Sequence, residues 1–418
     1  MAGASRVRSR NVIAAEAAQS WHALFDQIAA SLPSAAVRRT ALDGFLATGF
    51  PTKRIEAWKY TDLSVLAEAH FAAPQTTAHP ALHPLQGATP VVFVDGVCAQ
   101  GAELTGSELP QPLDGVYALN TAFAATGLKL EVGRGVTLPQ PVHVIACRSG
   151  ARTATTSHLC HHIQLADNAR ADVILESMGD GEYLGTDTVH IQLGSGAQLR
   201  FFHIQASAAA ATELANTQVE VGRDAHFEAY SVDVGLGLAR HDFNIALCAT
   251  GADADLKALS ITDARAHTDT RVRIQHRAPH GRSRILFRGI AADHSRLVFD
   301  GLVRVDEGAV KTDSDQRLAT LLLSSHAEAN MKPELEIYND DVRCDHGTAT
   351  GQLDPLALFY LRSRGVDESA ARELLTLAFV TRVLEAVPLP ALRDVLRERV
   401  ATSLRTALAR AVSTRQAA

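Results

Sequence analysis

The sequence contains a recurring segment, which reads Asn168-Ala-Arg-Ala-Asp-Val-Ile-Leu-Glu176 in one copy and Gly196-Ala-Gln-Leu-Arg-Phe-Phe-His-Ile204 in the next. In each copy a turn residue and an alanine precede a short run of β-branched, aliphatic or aromatic side chains. The alanines that start the copies are Ala169, Ala197, Ala225, Ala252 and Ala309, spaced by 28, 28, 27 and 57 residues. The last gap spans about two periods, and the missing copy is expected near Gly281. A period of roughly 20 to 50 residues indicates a solenoid or a propeller.

Each copy contains about two short strands, polar turns and almost no helix signal. Copies of this kind stack into a parallel β-helix, in which each strand pairs with its equivalent about 4.8 Å away in the next coil. A propeller blade needs about 40 residues, which is longer than this period, and a β-sandwich is the remaining alternative. We therefore predict a mainly β chain, with a right-handed parallel β-helix core flanked by N-terminal and C-terminal α-helical regions.

The composition changes on either side of the repeats. Alanines and leucines alternate with charged residues from about 12 to 48, which is typical of helix. A stretch rich in proline, histidine and alanine follows from 73 to 90 and is typical of a linker. We expect an N-terminal helical region and linker over 1–90, a parallel β-helix core over 91–350 and a C-terminal helical region over 351–418.

The C-terminal region begins with a clear helix signal. Asp354 and Pro355 fit the N-cap and the first helical position, and Asp367 caps a second helix. A third helix is expected from about Ala391. Apolar side chains recur at helical spacing in the first two helices, and they include Leu356, Phe359, Tyr360, Leu374, Leu375 and Phe379.

Bulk composition excludes several classes of protein. The net charge is −6 and the pI is about 6.3, so the chain has no electrostatic reason to bind nucleic acid or an anionic membrane. No run of roughly 18 apolar residues predicts a transmembrane helix. Five scattered cysteines in 418 residues argue against a disulfide framework, and no apolar segment follows the basic start of the chain as in a secretory signal. A cytoplasmic location is expected.

The sequence lacks the common signatures of hydrolytic enzymes. It has no G-x-x-x-x-G-K-[ST] phosphate loop, no G-x-S-x-G elbow and no H-E-x-x-H zinc helix. We therefore expect no ATP hydrolysis by a phosphate-loop mechanism in this chain.

Two Cys/His pairs stand out, Cys160 with His162 and Cys344 with His346. Residues two apart on a strand face the same side, so each pair can present a thiolate and an imidazole to one soft metal or iron–sulfur cluster. Two ligands do not fill a tetrahedral site, and a buried cysteine beside a hydrogen-bonded histidine is the alternative. Cys344 lies at the end of the repeats, where the last coil has an unpaired edge. We hypothesise that a second chain completes a site there.

Four segments resemble the SufB/SufD family of iron–sulfur cluster assembly proteins. The strongest are Ser324-Ser-His-Ala-Glu-Ala-Asn-Met-Lys-Pro-Glu-Leu-Glu-Ile-Tyr338, Asp340-Asp-Val-Arg-Cys-Asp-His-Gly347 and Phe359-Tyr-Leu-Arg-Ser-Arg-Gly365. The fourth, Glu56-Ala-Trp-Lys-Tyr-Thr61, is similar to a motif of the SufD branch. The resemblance runs from about residue 40 to about 385.

The resemblance implies a non-catalytic scaffold of the SUF system. Such a subunit pairs with SufB and docks SufC, an ABC-type ATPase, in a SufBCD complex. A transient iron–sulfur cluster shared with SufB would lie at the interface, with His346 as a ligand and Cys344 beside it, and no cofactor of the chain's own is implied with certainty. The C-terminal helical region would bind SufC, and the face expected for this contact comprises Leu356, Phe359, Tyr360, Leu374, Leu375 and Phe379.

Two alternative functions remain at this point. A SufB-type cluster scaffold should be longer and carry additional cysteine motifs. A β-helix polysaccharide lyase or hydrolase, which belongs to another class, should be secreted and present a row of carboxylates or basic groups along one face. For the isolated chain, a homodimer through the edge of the β-helix is a further expectation.

Overall fold

The computed structural model of the chain describes residues 15–74, 82–106, 115–150 and 154–417. Its α-helices are α1 (Ala15–Ile28), α2 (Ala35–Thr48), α3 (Ala118–Phe123), α4 (Pro355–Ser363), α5 (Glu368–Leu384) and α6 (Pro390–Ala417). Short 3-10 helices cover Ala29–Ser31, Glu56–Trp58, Ser64–Leu66, Ala102–Leu104 and Gly115–Tyr117. No helix of these described ranges is long and apolar enough to cross a membrane.

The strands occupy most of the chain between Thr89 and Gly351. They are β1 (Thr89–Val94), β2 (Val97–Gln100), β3 (Thr105–Gly106), β4 (Gly127–Val132), β5 (Val142–Ser149), β6 (Thr155–Leu165), β7 (Arg170–Asp180), β8 (Tyr183–Leu193), β9 (Gln198–Ser207), β10 (Thr212–Val221), β11 (His226–Asp233), β12 (Leu238–Leu247), β13 (Asp253–Thr262), β14 (His267–His276), β15 (Arg282–Ala291), β16 (Arg296–Val305), β17 (Asp313–Leu322), β18 (Glu328–Ile337) and β19 (Arg343–Gly351).

These strands form a two-sheet solenoid. The first sheet has the order β19-β17-β15-β13-β11-β9-β7-β5-β1-β2, and the second has the order β18-β16-β14-β12-β10-β8-β6-β4-β3. Neighbouring strands are parallel, except for the antiparallel pairs β1–β2 and β3–β4 at the N-terminal end. Each coil therefore contributes one strand to each sheet, which confirms the predicted parallel β-helix between helical regions.

The repeated turn explains the small residues in the sequence pattern. Asn168, Gly196, Asp224 and Gly251 occupy equivalent positions in four successive coils, and all four have a positive φ. A Cβ atom on Gly196 would lie 2.5 Å from Oδ1 of Asn168, so a larger residue there would have to displace that side chain as well as adopt the left-handed backbone. The adjoining alanines of the repeat are fully buried beneath the turn, namely Ala169, Ala197, Ala225, Ala252 and Ala309.

The interior of the solenoid has an apolar half and a polar half. Alternate side chains point inward, and those near the repeated turn are apolar, as with Leu199 and Phe201 of β9. Farther along the same strand the inward positions are His203 and Gln205, both buried. Sequence periodicity predicts which positions point inward, but it did not predict that half of the interior would be polar.

Helical regions cover the two sheets on opposite sides. The N-terminal helices pack on the second sheet through a cluster that includes Phe45, Phe123 and Leu184. Helices α5 and α6 pack on the first sheet, where Val400 and Leu404 are fully buried. The helical stretch expected over 12–48 is divided into α1 and α2 by a break at 29–34, and its first three residues lie outside the described ranges.

Candidate functional site

The C-terminal end of the solenoid is an open coil. Strand β18 pairs only with β16, and β19 pairs only with β17, among the strands of the described ranges. The other side of each strand presents backbone N–H and C=O groups without a neighbouring strand. Such an edge is a template for pairing with another chain.

Cys344 and His346 lie on this last coil, on β19. The register pairs Cys344 with Ser314 and His346 with Gln316, and both partners are buried on the inner side of β17. Cys344 and His346 therefore both belong to the inner side of the solenoid. Because no further coil within the described ranges covers them, Cys344 is only half-buried, at the rim of the apolar core, and His346 is exposed.

Side chains of β17, which pairs with β19 in the first sheet, contact β18 of the second sheet near this pair. Nε2 of Gln316 donates a hydrogen bond to the backbone oxygen of Glu334 at 3.3 Å. The hydroxyl of Thr320 donates to Sδ of Met331 at 3.3 Å. Sequence reasoning missed these residues, although a step of one period back from Cys344 reaches the alternating polar side chains of β17.

The local electrostatics keep the thiol protonated. Partial burial and the nearby carboxylate of Asp313 raise the pKa of Cys344. A soft metal that binds the sulfur would displace this proton. No group of three or more His, Cys, Asp or Glu side chains that could hold a metal ion occurs within the described ranges, so a metal site at Cys344 and His346 would need ligands from elsewhere.

The other Cys/His pair lies away from the open end. Sγ of Cys160 is 3.4 Å from Nε2 of His162, on the outer side of β6. The ring of His162 stacks on that of His190, with their centroids 5.1 Å apart. His161 points inward instead, and its Nδ1 accepts a hydrogen bond from the Leu128 amide at 3.0 Å. This pair therefore fits a packed sheet surface better than an accessible metal site.

The C-terminal helices expose several large apolar side chains. Asp354 caps α4 by accepting a hydrogen bond from the Leu356 amide at 2.9 Å. Leu356 is 77% exposed and Phe359 is 71% exposed, and more than half of the surface of Tyr360 and Leu374 is also exposed. These four of the six residues expected to bind an ATPase subunit form an apolar surface on α4 and α5.

The other two residues of that expected set lie deeper. Leu375 is half-buried, and Phe379 packs against the cluster between α5 and the first sheet. The guanidinium carbon of Arg288 lies 5.6 Å from the centroid of the Phe379 ring. Leu375 and Phe379 are thus available to a partner over part of their surface only, whereas Leu374 points outward.

The segment Glu56–Thr61 holds the N-terminal region on the second sheet. The Trp58 ring lies over Arg240 at 3.9 Å, and that arginine donates to Asp269 at 2.7 Å. The Thr61 hydroxyl contacts both Asp269 and His267. A charged group buried in this way needs all of its partners, which gives the aromatic and hydroxyl residues of the segment a structural role.

A second buried charge lies inside the solenoid. Arg148 bonds to Asp187, to Glu213 at 3.1 Å and to Ser177 at 2.6 Å, and the hydroxyl of Tyr183 donates to Glu213 at 2.9 Å. Burial raises the pKa of both carboxyl groups. Burial lowers the pKa of Arg148, but the two carboxylates outweigh this effect and raise it above its ordinary value.

Comparison with known proteins places these features in a family. The model described as "SUF system FeS cluster assembly, SufBD core domain" matches residues 147–379, which is more than half of the chain. The chain belongs to the SufB/SufD family. The matched range contains Cys344, His346 and the exposed apolar surface of α4 and α5, whereas α6 lies outside it.

Individual relatives agree with this assignment. The chain is 29% identical over 394 residues to "Iron-sulfur cluster assembly protein SufD" of Escherichia coli (strain K12), covering 89% of this chain and 93% of that protein. It is 28% identical over 408 residues to a SufBD family protein of Synechocystis, covering 86% and 89%. It is 24% identical over 281 residues to SufD of Bacillus subtilis, covering 65% and 63%. The resemblance to SufD is thereby confirmed, and the assembly interpretation is favoured over the polysaccharide lyase.

Proposed function

We propose that this SufB/SufD family protein acts as the SufD-type scaffold of an iron–sulfur cluster assembly complex. It pairs with SufB through the open end of the solenoid and contributes His346, with Cys344 beside it, to a nascent cluster at the interface. The observation that carries this proposal is the position of an exposed imidazole and a half-buried thiol on the inner side of an uncovered last coil. The cluster is cargo that passes through the complex.

The incompleteness of the ligand set supports a shared site. Iron–sulfur clusters are held mainly by thiolates, with imidazole as a less common ligand. One thiol and one imidazole cannot satisfy a cluster, and free strand edges flank both residues. A second chain that pairs with those edges brings its own side chains to the same place.

The exposed apolar surface on α4 and α5 supports docking of SufC. Large exposed apolar side chains grouped on one surface mark sites of protein interaction. The exposed side chains of this kind on α4 and α5 are Leu356, Phe359, Tyr360 and Leu374. Because the sequence has no phosphate loop, ATP hydrolysis belongs to that partner, and this chain is a non-catalytic subunit that works in the cytoplasm.

Co-expression with SufB and SufC chains of the same organism tests the proposal. The three chains should purify together, and the complex should bind iron and sulfide after reconstitution. His346→Ala should leave the subunit ratio unchanged and lower the bound iron and sulfide several-fold, because one ligand of the shared site is lost.

His22→Ala is the matched control, because this partly exposed histidine lies on α1, far along the chain from the last coil. It should leave both the subunit ratio and the cluster content unchanged. A cluster content of His346→Ala equal to that of this control would contradict the proposed role of His346.

A further inference from the structure

A buried arginine of the N-terminal region has no carboxylate partner among the described residues. Arg38 on α2 is fully buried. Its Nε donates to the backbone oxygen of Pro33 at 3.0 Å, and its Nη1 donates to those of Thr121 at 3.0 Å and Ala124 at 2.8 Å. These carbonyl groups carry only partial charges, and Nη2 has no hydrogen-bond partner within the described ranges. A buried charge is costly unless an opposite charge accompanies it.

Cys160 lies beneath the end of α3 that Arg38 contacts. The side-chain amide of Asn120 donates to the backbone of β6 at 2.8 Å, which holds α3 on the second sheet. Residues 124–126 follow α3, and the backbone oxygen of Thr126 accepts a hydrogen bond from the Cys160 amide at 3.1 Å. Cys160 is 4% exposed. Burial lowers the pKa of Arg38, and Cys160 is the titratable group that raises it, so the thiol and the guanidinium share one buried layer.

The titratable side chains that flank Cys160 on the outer side of β4, β6 and β8 are bases. They are Lys129 on β4, His158 and His162 on β6, and His190 on β8. Nε2 of His162 lies 3.4 Å from Sγ of Cys160. Burial lowers the pKa of His158 to about 3 and that of His190 to about 4, so both rings are neutral at neutral pH. Helix α3, which covers the strand, contains no titratable side chain. These groups add no negative charge that would oppose ionisation of the sulfur.

We propose that Cys160 is a thiolate at neutral pH and is the counter-ion of Arg38, so that a buried thiolate–guanidinium pair holds α2 and α3 on the second sheet. A neighbouring cation favours the thiolate over the thiol. Cys147 and Cys344 differ, because burial raises the pKa of both. The inference is independent of the proposed function.

The ion pair makes the attachment of the N-terminal helices sensitive to pH. The sulfur loses its proton on folding, whereas an unfolded cysteine ionises at about pH 8.5. The contribution of the pair to stability is therefore fully present above that pH and is lost as the pH falls and the folded thiolate takes up a proton. Protonation leaves Arg38 buried without an opposite charge, which weakens the contact between α2 and the second sheet.

The test measures the thiolate directly, as the ultraviolet absorbance of the full-length wild type minus that of Cys160→Ser during a pH titration. An ordinary cysteine is only a few per cent ionised at about pH 7, whereas Cys160 should be more than about half ionised there. Arg38→Gln should lower the ionised fraction about tenfold, and Arg38→Lys, which keeps the positive charge, should retain most of it. Arg39→Gln is the matched control, because this neighbouring arginine of α2 pairs with Asp26 at the surface. It should leave the ionised fraction unchanged.

Three results would overturn the thiolate–guanidinium pair. The first is a Cys160 thiol that stays protonated at pH 7 in the folded wild type. The second is an ionised fraction in Arg38→Gln equal to that of the wild type, which would make another group responsible. The third is an equal loss in Arg38→Gln and in the Arg39→Gln control. Should Arg38→Gln fail to fold, the titration of the wild type and of Arg38→Lys decides, and a protonated thiol in either contradicts the proposal.

Discussion

Asp233 shows how burial inside the solenoid changes the pKa of a single side chain. Its carboxyl group is buried in the polar half of the interior, beside His203 and His241. The hydroxyl of Ser260 donates to it at 3.3 Å. Burial raises the pKa of Asp233 to about 7, because the interior penalises the charged form. The interior histidines respond in the opposite direction, and burial lowers the pKa of His203 to about 3.

The raised pKa of Asp233 predicts a specific pH dependence of stability. The folded chain holds this proton up to about pH 7, whereas an unfolded aspartate releases it near pH 4, so this contribution to stability is lost as the pH rises between those values. Asp233→Asn should therefore raise the free energy of unfolding relative to the wild type by about 2 kcal/mol at pH 8 and by less at pH 5. Urea unfolding at both pH values measures the difference.

Asp340→Asn, at an exposed position, is the control, and its free energy of unfolding should stay within about 0.5 kcal/mol of the wild type in both measurements. A difference between Asp233→Asn and the wild type that is the same at pH 5 and pH 8 would contradict the buried-carboxyl account of Asp233.

At the scale of elements, helices α4 and α5 combine an inner and an outer apolar surface. The inner surface includes Val380, which is fully buried against the first sheet. The outer surface includes Leu374 and Phe359, which are exposed. Inner positions stabilise the fold, whereas outer positions are free to contact a partner. The helical period identified the apolar residues, but it could not separate these two surfaces, because the sequence is apolar on both sides of α5.

Leu374→Asp should weaken binding of the SufC-type ATPase by about tenfold or more, because a charge would enter an apolar contact. The free energy of unfolding should change little, since more than half of the surface of Leu374 is exposed. Titration calorimetry with the purified ATPase subunit measures the affinity. Val65→Asp, at an exposed apolar residue of the N-terminal region, should bind as the wild type does. Affinities equal for the two variants would contradict the assignment of the α4–α5 surface.

For the whole molecule, the sequence repeat predicted most of the architecture. The spacing of the repeat alanines gives the number of residues in one coil, because each coil must return to the same turn. The position of Cys344 and His346 at the last coil also followed from the order of the repeats and from strand alternation. Both deductions depend on a periodicity that is visible in the sequence itself.

Contacts between segments distant in sequence could not be predicted in this way. Arg148 finds Asp187 and Glu213 only after three coils have stacked. Trp58 covers Arg240 across 182 positions of sequence, and nothing local in either segment indicates the other. The ion pair between Asp253 and Arg282 on neighbouring strands likewise appears only when the register of the strands is known.

The central claim is that a second chain completes the open coil, and hydrogen–deuterium exchange of the backbone amides tests it most directly. The amides of β18 and β19 on the free side lack a strand partner and should exchange rapidly in the isolated chain. Addition of the SufB-type chain should slow exchange over 328–337 and 343–351 and leave 212–221, in the middle of the second sheet, unchanged. Binding of that chain without any added protection of 328–337 and 343–351 would contradict the account.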